Sequence, residues 1–383
     1  MPSPDGLARM LTAKGSLDEA WAATVRAVPR ELFIPDRIEV GETVLSRAQD
    51  PAGWARAVYD DVPVTTQVND GLVVAEGAYR LPTSSSSMPT VMLEMIALLD
   101  VRPGQKVLEA GTGTGYNAAW LSHRLGAERV TSLDIDGALV AQAGKNLAAA
   151  GYGPYLAVGD AALGWAGRAP YNRVIATYTV PEIPYAWVEQ APGGRIVAPW
   201  GGSFFSHSYT VLDVAGERAV GRFTGWPAFM RTRIGRPHRG YLSDFYRQDD
   251  TGTPGRTRIC PRTFAEDPDA LFFVGLSLPD AWYLLAEAGD GSGEATLWIL
   301  SDDRASWATV EYAPDSTEFE VDQFGPRRLW DEADTAHQWW SRLGRPGRDR
   351  AGLTVDRDGQ HLWLDDPDNA LTAPSRPRAE RPL

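Results

Sequence analysis

The chain has 383 residues, 43% of them hydrophobic and 23% charged, so it is long enough for two domains with real cores. Its formal charge of −13 argues against a protein that coats nucleic acid, because such binding relies on Lys and Arg neutralising phosphates. With one cysteine, Cys260, there is no intrachain disulfide and no thiolate metal cluster; an ordinary packed thiol in a reducing compartment is expected.

Residues 1–60 read as helical and polar. The opening MPSPDGLARM lacks the basic-then-apolar pattern of a secretion signal. No apolar run approaches the roughly 20 residues of a membrane span, so a cytoplasmic protein with no membrane partner is expected. VPRELFIPD (28–36) closes the first helical stretch through its two prolines. VPVTTQV and GLVVAEG, within 62–84, read as short strands or loop around an Asn69-Asp70-Gly71 turn. The run LPTSSSSMPTVM (81–92) places four serines before a helix that begins at Pro89; Ser84 and Ser85 read as a turn.

A regular alternation follows. KVLEA (106–110), RVTSLDI (129–135), YLAVGD (155–160), NRVIATYTV (172–180) and GRIVAPW (194–200) read as strands separated by helix-length segments. This predicts an α/β, doubly wound, mostly parallel sheet covered on both faces, finished by a hairpin at 208–223 around Gly216. After a basic connector (229–240), LFFVGLSL (271–278), ATLWILS (295–301) and WATVEYA (307–313) read as strands. A helix at 327–343 and a hairpin at 352–364 complete a C-terminal α+β domain, with Trp339 and Trp340 expected in its core. The predicted division is an N-terminal helical segment (1–80), a core (81–228), an accessory domain (229–370) and a disordered tail (371–383).

The stretch VLEAGTGTGYNAAWL places Gly111, Gly113 and Gly115 between a strand and a helix, where bare backbone can turn tightly and approach a ligand. A dinucleotide fingerprint needs Gly at position 116, which is Tyr here. The Gly-x-Gly-x-Gly pattern after Glu109 points instead to S-adenosyl-L-methionine (SAM). Asp134 ends the next strand, where a carboxylate accepts from ribose hydroxyls, and Asp160 ends the third strand, within reach of an adenine amino group. Asp134 could also cap the following helix, for which Asp136 is the better candidate. The five histidines are scattered without ligand spacing, and no metal is expected.

VPRELFIP (28–35), YDDVP (59–63), SMP (87–89), RPGQKVLEAGTGTGYNAAWLS (102–122), VGDAALGW (158–165) and PEIPYAWVEQAPGGRIVAPWG (181–201) occur in one order and spacing. In this the chain resembles the protein-L-isoaspartate (D-aspartate) O-methyltransferases. That resemblance implies a SAM-dependent, Rossmann-like carboxyl methyltransferase releasing S-adenosyl-L-homocysteine, with a peptide or protein carrying an aspartyl or isoaspartyl residue as substrate.

The resemblance also implies roles for residues. Ser87 falls between cofactor and substrate carboxyl, with Ser86 as a helper; a helix-cap role for Ser87 is the alternative and does not exclude the first. Glu109, Gly111, Thr112, Gly113, Asp134, Asp160 and Ala161 fall on the cofactor pattern, Ala161 standing where Gly is common. Asp61 falls on the family's Asp-x-Pro and is expected on the substrate side. Arg231, Arg233, Arg236 and Arg239 form either an electropositive rim for an acidic peptide, the first two contacting substrate, or a solvated connector.

Two departures separate this chain from the repair enzymes. The segment from Pro63 to Ser87 is longer than the family's short hinge, and about 150 C-terminal residues are expected to have no counterpart there. Together they resemble the actinobacterial branch that methylates an aspartate of ribosomally made peptides (lanthipeptides and graspetides), whose ester collapses to aspartimide or isoaspartate.

Overall fold

The computed structural model describes residues 2–73, 75, 77–237 and 240–374. Three helices, α1 (Pro4–Ala13), α2 (Glu19–Ala27) and α3 (Pro51–Val58), begin the chain, each with an acidic or hydroxyl cap: Ser3, Asp18 and Asp50. Between α2 and α3 lies a hairpin the sequence did not signal, β1 (Arg37–Val40) and β2 (Thr43–Ser46). With β3 (Val64–Val68) and β4 (Pro82–Ser86) it forms a four-stranded sheet of order β2-β1-β3-β4.

The serine run is therefore a strand, not a turn: Ser84, Ser85 and Ser86 pair with Gln67, Thr65 and Val64. Hydroxyl side chains suit this edge because they can be satisfied locally; Thr66 Oγ1 donates to Ser84 Oγ at 3.2 Å.

The central unit runs α4 (Pro89–Leu99), β5 (Val107–Ala110), α5 (Tyr116–Leu125), β6 (Val130–Asp134), α6 (Gly137–Ala149), β7 (Tyr155–Val158), β8 (Arg173–Ala176), α7 (Tyr185–Gln190) and β9 (Arg195–Trp200). The antiparallel pair β10 (Ser208–Ala215) and β11 (Arg218–Thr224) follows. Strands β5 to β9 are parallel and continuously buried at β5, as expected for a sheet with helices on both faces. Trp120 and Trp187 are fully buried in that covering.

Beyond the connector come β12 (Thr253–Thr257), α8 (Pro261–Glu266), α9 (Pro268–Ser277), β13 (Ala281–Glu287), β14 (Ala295–Ser301), β15 (Trp307–Tyr312), β16 (Phe319–Phe324) and α10 (Leu329–Arg342). Its strands form a separate sheet of order β12-β16-β15-β14-β13. LFFVGLSL, expected as a strand, lies in α9. Pro268 opens this helix and Asp267 caps it, accepting from Asp269 N and Ala270 N at 3.1 and 3.0 Å. A short apolar run carries no periodicity to distinguish a buried helix from a buried strand, and here the cap decides. Trp340 is buried, Trp339 partly so.

The last hairpin, β17 (Ala351–Asp356) and β18 (Gly359–Leu364), joins the central sheet and not the C-terminal one. The resulting order is β18-β17-β11-β10-β9-β8-β5-β6-β7. Gly352 allows this pairing: a Cβ there would lie 2.1 Å from the Trp363 ring. Leu371, placed in the tail by the sequence reading, is ordered, its N donating to Leu362 O at 2.9 Å. Arg239 and residues 375–383 lie outside the described residues. No helix among those described is long and apolar enough to cross a membrane.

Candidate active site

At the carboxyl end of β5, Gly111, Gly113 and Gly115 take φ values of 99°, 52° and 89°, the left-handed region that disfavours side chains. At Gly111 a Cβ would also lie 2.4 Å from Thr177 Oγ1. At Gly113 a Cβ would only come into ordinary contact, 3.8 Å from Ser84 Oγ and Ser85 O, so there the positive φ and not crowding favours glycine. Gly111 N and Thr112 N donate to Leu133 O at 2.7 and 3.0 Å, which ties the loop to the end of β6. Asp134 continues that tie, accepting from Gly113 N at 2.9 Å and from Asp136 N at 3.0 Å.

Asp136, and not Asp134, caps α6, accepting from Ala138 N and Leu139 N at 2.9 and 3.2 Å. Asp160 caps the short turn 161–163 through Ala162 N at 2.9 Å, and Ala161 O accepts from Trp187 Nε1 at 2.7 Å.

These groups border a cleft of about 470 Å³. Its lining includes Ser86, Ser87, Gly111, Thr112, Gly113, Asp134, Asp160, Ala161, Arg231 and Arg233. Glu109 is not among the lining residues. It is fully buried below the loop, accepting from Asn117 Nδ2 at 2.6 Å and from Ser132 Oγ, which in turn shares a 2.7 Å hydrogen bond with Thr112 Oγ1. Burial pushes its carboxyl up to about 7, against the hydrogen bonds from Ser132 and Asn117. Glu109 therefore supports the loop through Ser132 and Thr112 from behind the cleft wall.

The two candidate serines part company. Ser86 is buried, and its Oγ accepts from Arg30 Nε at 3.2 Å, so its hydroxyl is already engaged. Ser87 Oγ has no hydrogen-bond partner among the described residues and borders the cleft. Nor is Ser87 the cap of α4, since Met88 occupies that position without a side-chain bond.

Asp61 serves the cap from outside. It accepts from Thr90 N at 2.9 Å, from Thr90 Oγ1 at 2.6 Å and from Lys14 Nζ at 2.7 Å. Its side chain is 3% exposed and absent from the cleft wall, where a substrate contact was expected.

Arg233 lines the cleft, but its guanidinium is committed to protein groups. It donates to Asp136 Oδ2 at 3.0 Å, Gln67 Oε1 at 2.7 Å and Thr83 O at 2.9 Å, and pairs with Asp70 at 3.3 Å. Arg236 also pairs with Asp70, at 3.2 Å. These residues clasp the connector to the β3–β4 hairpin, and the expected rim is largely neutralised. Arg231 donates to Ser203 Oγ, which donates to Asp302 of the C-terminal unit.

Sequence reasoning missed Arg30 as a site element, although it quoted the VPRELFIP motif. The available signal was a charge set among apolar residues.

A parallel sheet with a ligand-facing glycine loop, followed by acidic residues at the ends of the next two strands, is a SAM-dependent methyltransferase. The residues fit the cofactor: the glycine loop at Gly111 and Gly113, Asp134 and Asp160 line one cleft large enough for a small molecule.

The family model described as Protein-L-isoaspartate(D-aspartate) O-methyltransferase (PCMT) matches residues 5–210. The chain is 34% identical over 236 residues to the protein-L-isoaspartate O-methyltransferase of Halorhodospira halophila, covering 61% of this chain and 92% of that one. It is also 34% identical over 193 residues to the enzyme of the same name from Methanoculleus marisnigri, covering 50% and 73%. The chain belongs to the protein-L-isoaspartate O-methyltransferase family and is a SAM-dependent carboxyl methyltransferase.

A solved protein-L-isoaspartate O-methyltransferase structure aligns over 95% of this chain and 100% of its own, with a TM-score of 0.53 and 20% identity. That likeness concerns the fold, and its span takes in the C-terminal sheet. The expectation that this region lacks any counterpart in such enzymes is corrected.

Proposed function

We propose that the acceptor is the free carboxylate of an isoaspartyl residue in a peptide or protein, as in the relatives' named activity. The observation that carries this reading is Ser87: a residue just before α4 that lines the same cleft as the glycine loop, its hydroxyl without a protein partner among the described residues.

When bound, SAM supplies an electrophilic methyl group on a sulfonium. The glycine loop, Asp134 and Asp160 would hold it at the carboxyl edge of β5, β6 and β7, with Asp134 suited to accept from ribose hydroxyls and Asp160 from an adenine amino group. An acceptor carboxylate has an unperturbed pKa of about 4, so it reaches the site already ionised and needs no general base. Ser87 donates to one carboxylate oxygen and leaves the other free to attack in line. Orientation of this kind can lower a barrier by several kcal/mol. The resulting ester is a better electrophile than the carboxylate, and the following backbone nitrogen can lose its proton and attack the ester carbon, breaking the acyl C–O bond and releasing methanol to leave a succinimide.

A second reading, methylation of an aspartate side chain in a ribosomally made peptide, is favoured by one feature. The long β3–β4 hairpin and its clasp to the connector rebuild the acceptor side of the cleft. Matched isoaspartyl and aspartyl peptides incubated with SAM and followed by mass spectrometry separate the two. A single methyl gain on the isoaspartyl peptide alone supports the first reading. A methyl gain or water loss on the aspartyl peptide alone replaces it with the second.

A further inference from the structure

Trp226 is 52% exposed, yet it borders the cleft and one side of its ring is occupied. The Arg348 guanidinium carbon lies 3.0 Å from its ring centroid. Arg348 is itself 4% exposed and fixed, its N donating to Asp269 Oδ1 and its Nη1 to His207 O, both at 3.1 Å. Its Nε has no hydrogen-bond partner among the described residues, so the ring is what covers that part of the guanidinium. A buried, pinned cation beneath a half-exposed indole makes a fixed aromatic platform and not a mobile surface side chain.

Topology sets the side of the cleft on which this platform stands. Strand β11 runs antiparallel to β10, and β10 antiparallel to β9, so β11 ends at the same sheet edge as β5, β8 and β9. Asp134 and Asp160 follow β6 and β7 on one side of β5. Trp226 follows β11 on the other side, beyond β8, β9 and β10. The groups that suit the cofactor and the platform therefore flank the reacting centre from opposite directions. The wall nearest Trp226 in the chain is apolar: Phe229 lines the cleft with Val91 and Met95, and these three belong to one cluster.

We propose that Trp226, held by Arg348, is a specificity-determining residue that stacks on an apolar or aromatic side chain flanking the acceptor carboxylate. The inference rests on the carboxyl-methyltransfer reading and deepens it by naming the neighbouring residue's chemistry. It also gives the C-terminal third a positioning part in the site, because Arg348, which holds Trp226, lies three residues before β17.

The test uses the full-length protein, SAM and two peptides with the same acceptor residue, one flanked by Phe and the other by Ser. Trp226→Ala is expected to raise KM for the Phe peptide about tenfold, with kcat within about twofold and Trp226→Phe restoring most of the loss. KM for the Ser peptide and the Kd for S-adenosyl-L-homocysteine by calorimetry should stay within about twofold, since neither depends on the stack. Arg348→Met should move KM in the same direction as Trp226→Ala; if it does not fold by circular dichroism, the two Trp226 variants decide the matter. Equal effects on both peptides, or a weakened S-adenosyl-L-homocysteine complex, would overturn the assignment. A wild-type protein that binds S-adenosyl-L-homocysteine but methylates neither peptide removes the acceptor reading, and this inference with it.

Discussion

Arg30 fixes the backbone of Ser87 from 57 positions away: its Nη2 donates to the Ser87 carbonyl at 3.0 Å. The same guanidinium donates to the carbonyls of Val58, Asp60, Val62 and Ser86 and to Ser86 Oγ, at 3.0 to 3.2 Å. It is completely buried, and burial lowers its pKa to about 10, which leaves it charged at neutral pH. Its donors thus join the 58–62 loop to the end of the serine strand, and the position of Ser87 depends on that junction.

Arg30→Met should therefore cost about 3 kcal/mol or more in urea unfolding, because it leaves several buried acceptors unpaired. Arg30→Lys should recover only part of this, since an ammonium lacks the planar fork that reaches both segments. A loss below about 1 kcal/mol for Arg30→Met would show that water replaces the guanidinium freely.

Ser87→Ala separates chemistry from folding. Removing one hydrogen bond to an ionised carboxylate should lower kcat about 10- to 100-fold. Because Ser87 does not cap α4, its thermal midpoint should stay within about 2 °C of wild type. A variant that melts much earlier while keeping its kcat would assign Ser87 a structural role. Ser86→Ala should behave in the opposite way, losing stability through the Arg30 contact.

Asp61 carries a pH signature. Burial opposes its ionisation, but hydrogen bonds from Lys14 and Thr90 outweigh this and hold the carboxyl below its usual range. A depressed folded pKa gives stability that is present above the unfolded value of about 3.9 and is lost as pH falls through the folded pKa. Asp61→Asn should cost about 1–2 kcal/mol at pH 7 and less as pH falls through that window, read from urea curves at several pH values. KM for peptide should change little, because the side chain does not reach the cleft. An equal loss at pH 7 and pH 2 would contradict the ionic account.

The glycine loop and the parallel strands were legible in the sequence because each has a local cause: positive φ demands glycine, and a strand buried on both faces demands an apolar run. The position of Asp134 and Asp160 on the cleft wall was legible through their place at or just after strand ends alone. That Asp61 and Glu109 stand away from the cleft wall was not legible, because a motif fixes residue type and order but not the direction of a side chain. One carboxylate turns to a helix end and the other sits below the loop. The serine strand and α9 misled for a different reason. Pairing with β3 and the cap at Asp267 decided those segments, and composition pointed elsewhere. Arg233 could not be read as neutralised, since Asp70 and Asp136 meet it only after the hairpin folds over the connector.

Glu109 gives the last prediction. Its carboxyl is raised to about 7 chiefly by burial, with the Asp134 charge adding to the shift and the hydrogen bonds from Ser132 and Asn117 opposing it. A raised folded pKa reverses the sign found for Asp61. The stabilising contribution is complete below the unfolded value of about 4.3 and is lost as pH rises through about 7. Ionising a carboxyl in this enclosed position should cost a few kcal/mol (roughly, from the rise to about 7). Glu109→Gln removes that cost while keeping a shape that can still meet Asn117 and, with the Ser132 hydroxyl reversed toward Thr112, Ser132 as well. Stability curves from pH 5 to 8 should therefore diverge, the variant gaining on wild type as pH rises, with S-adenosyl-L-homocysteine affinity at pH 6 nearly unchanged. Parallel curves would mean that the wild-type carboxyl is ionised across the whole range, and that the loop above it rests on a buried charge and not on a neutral acid.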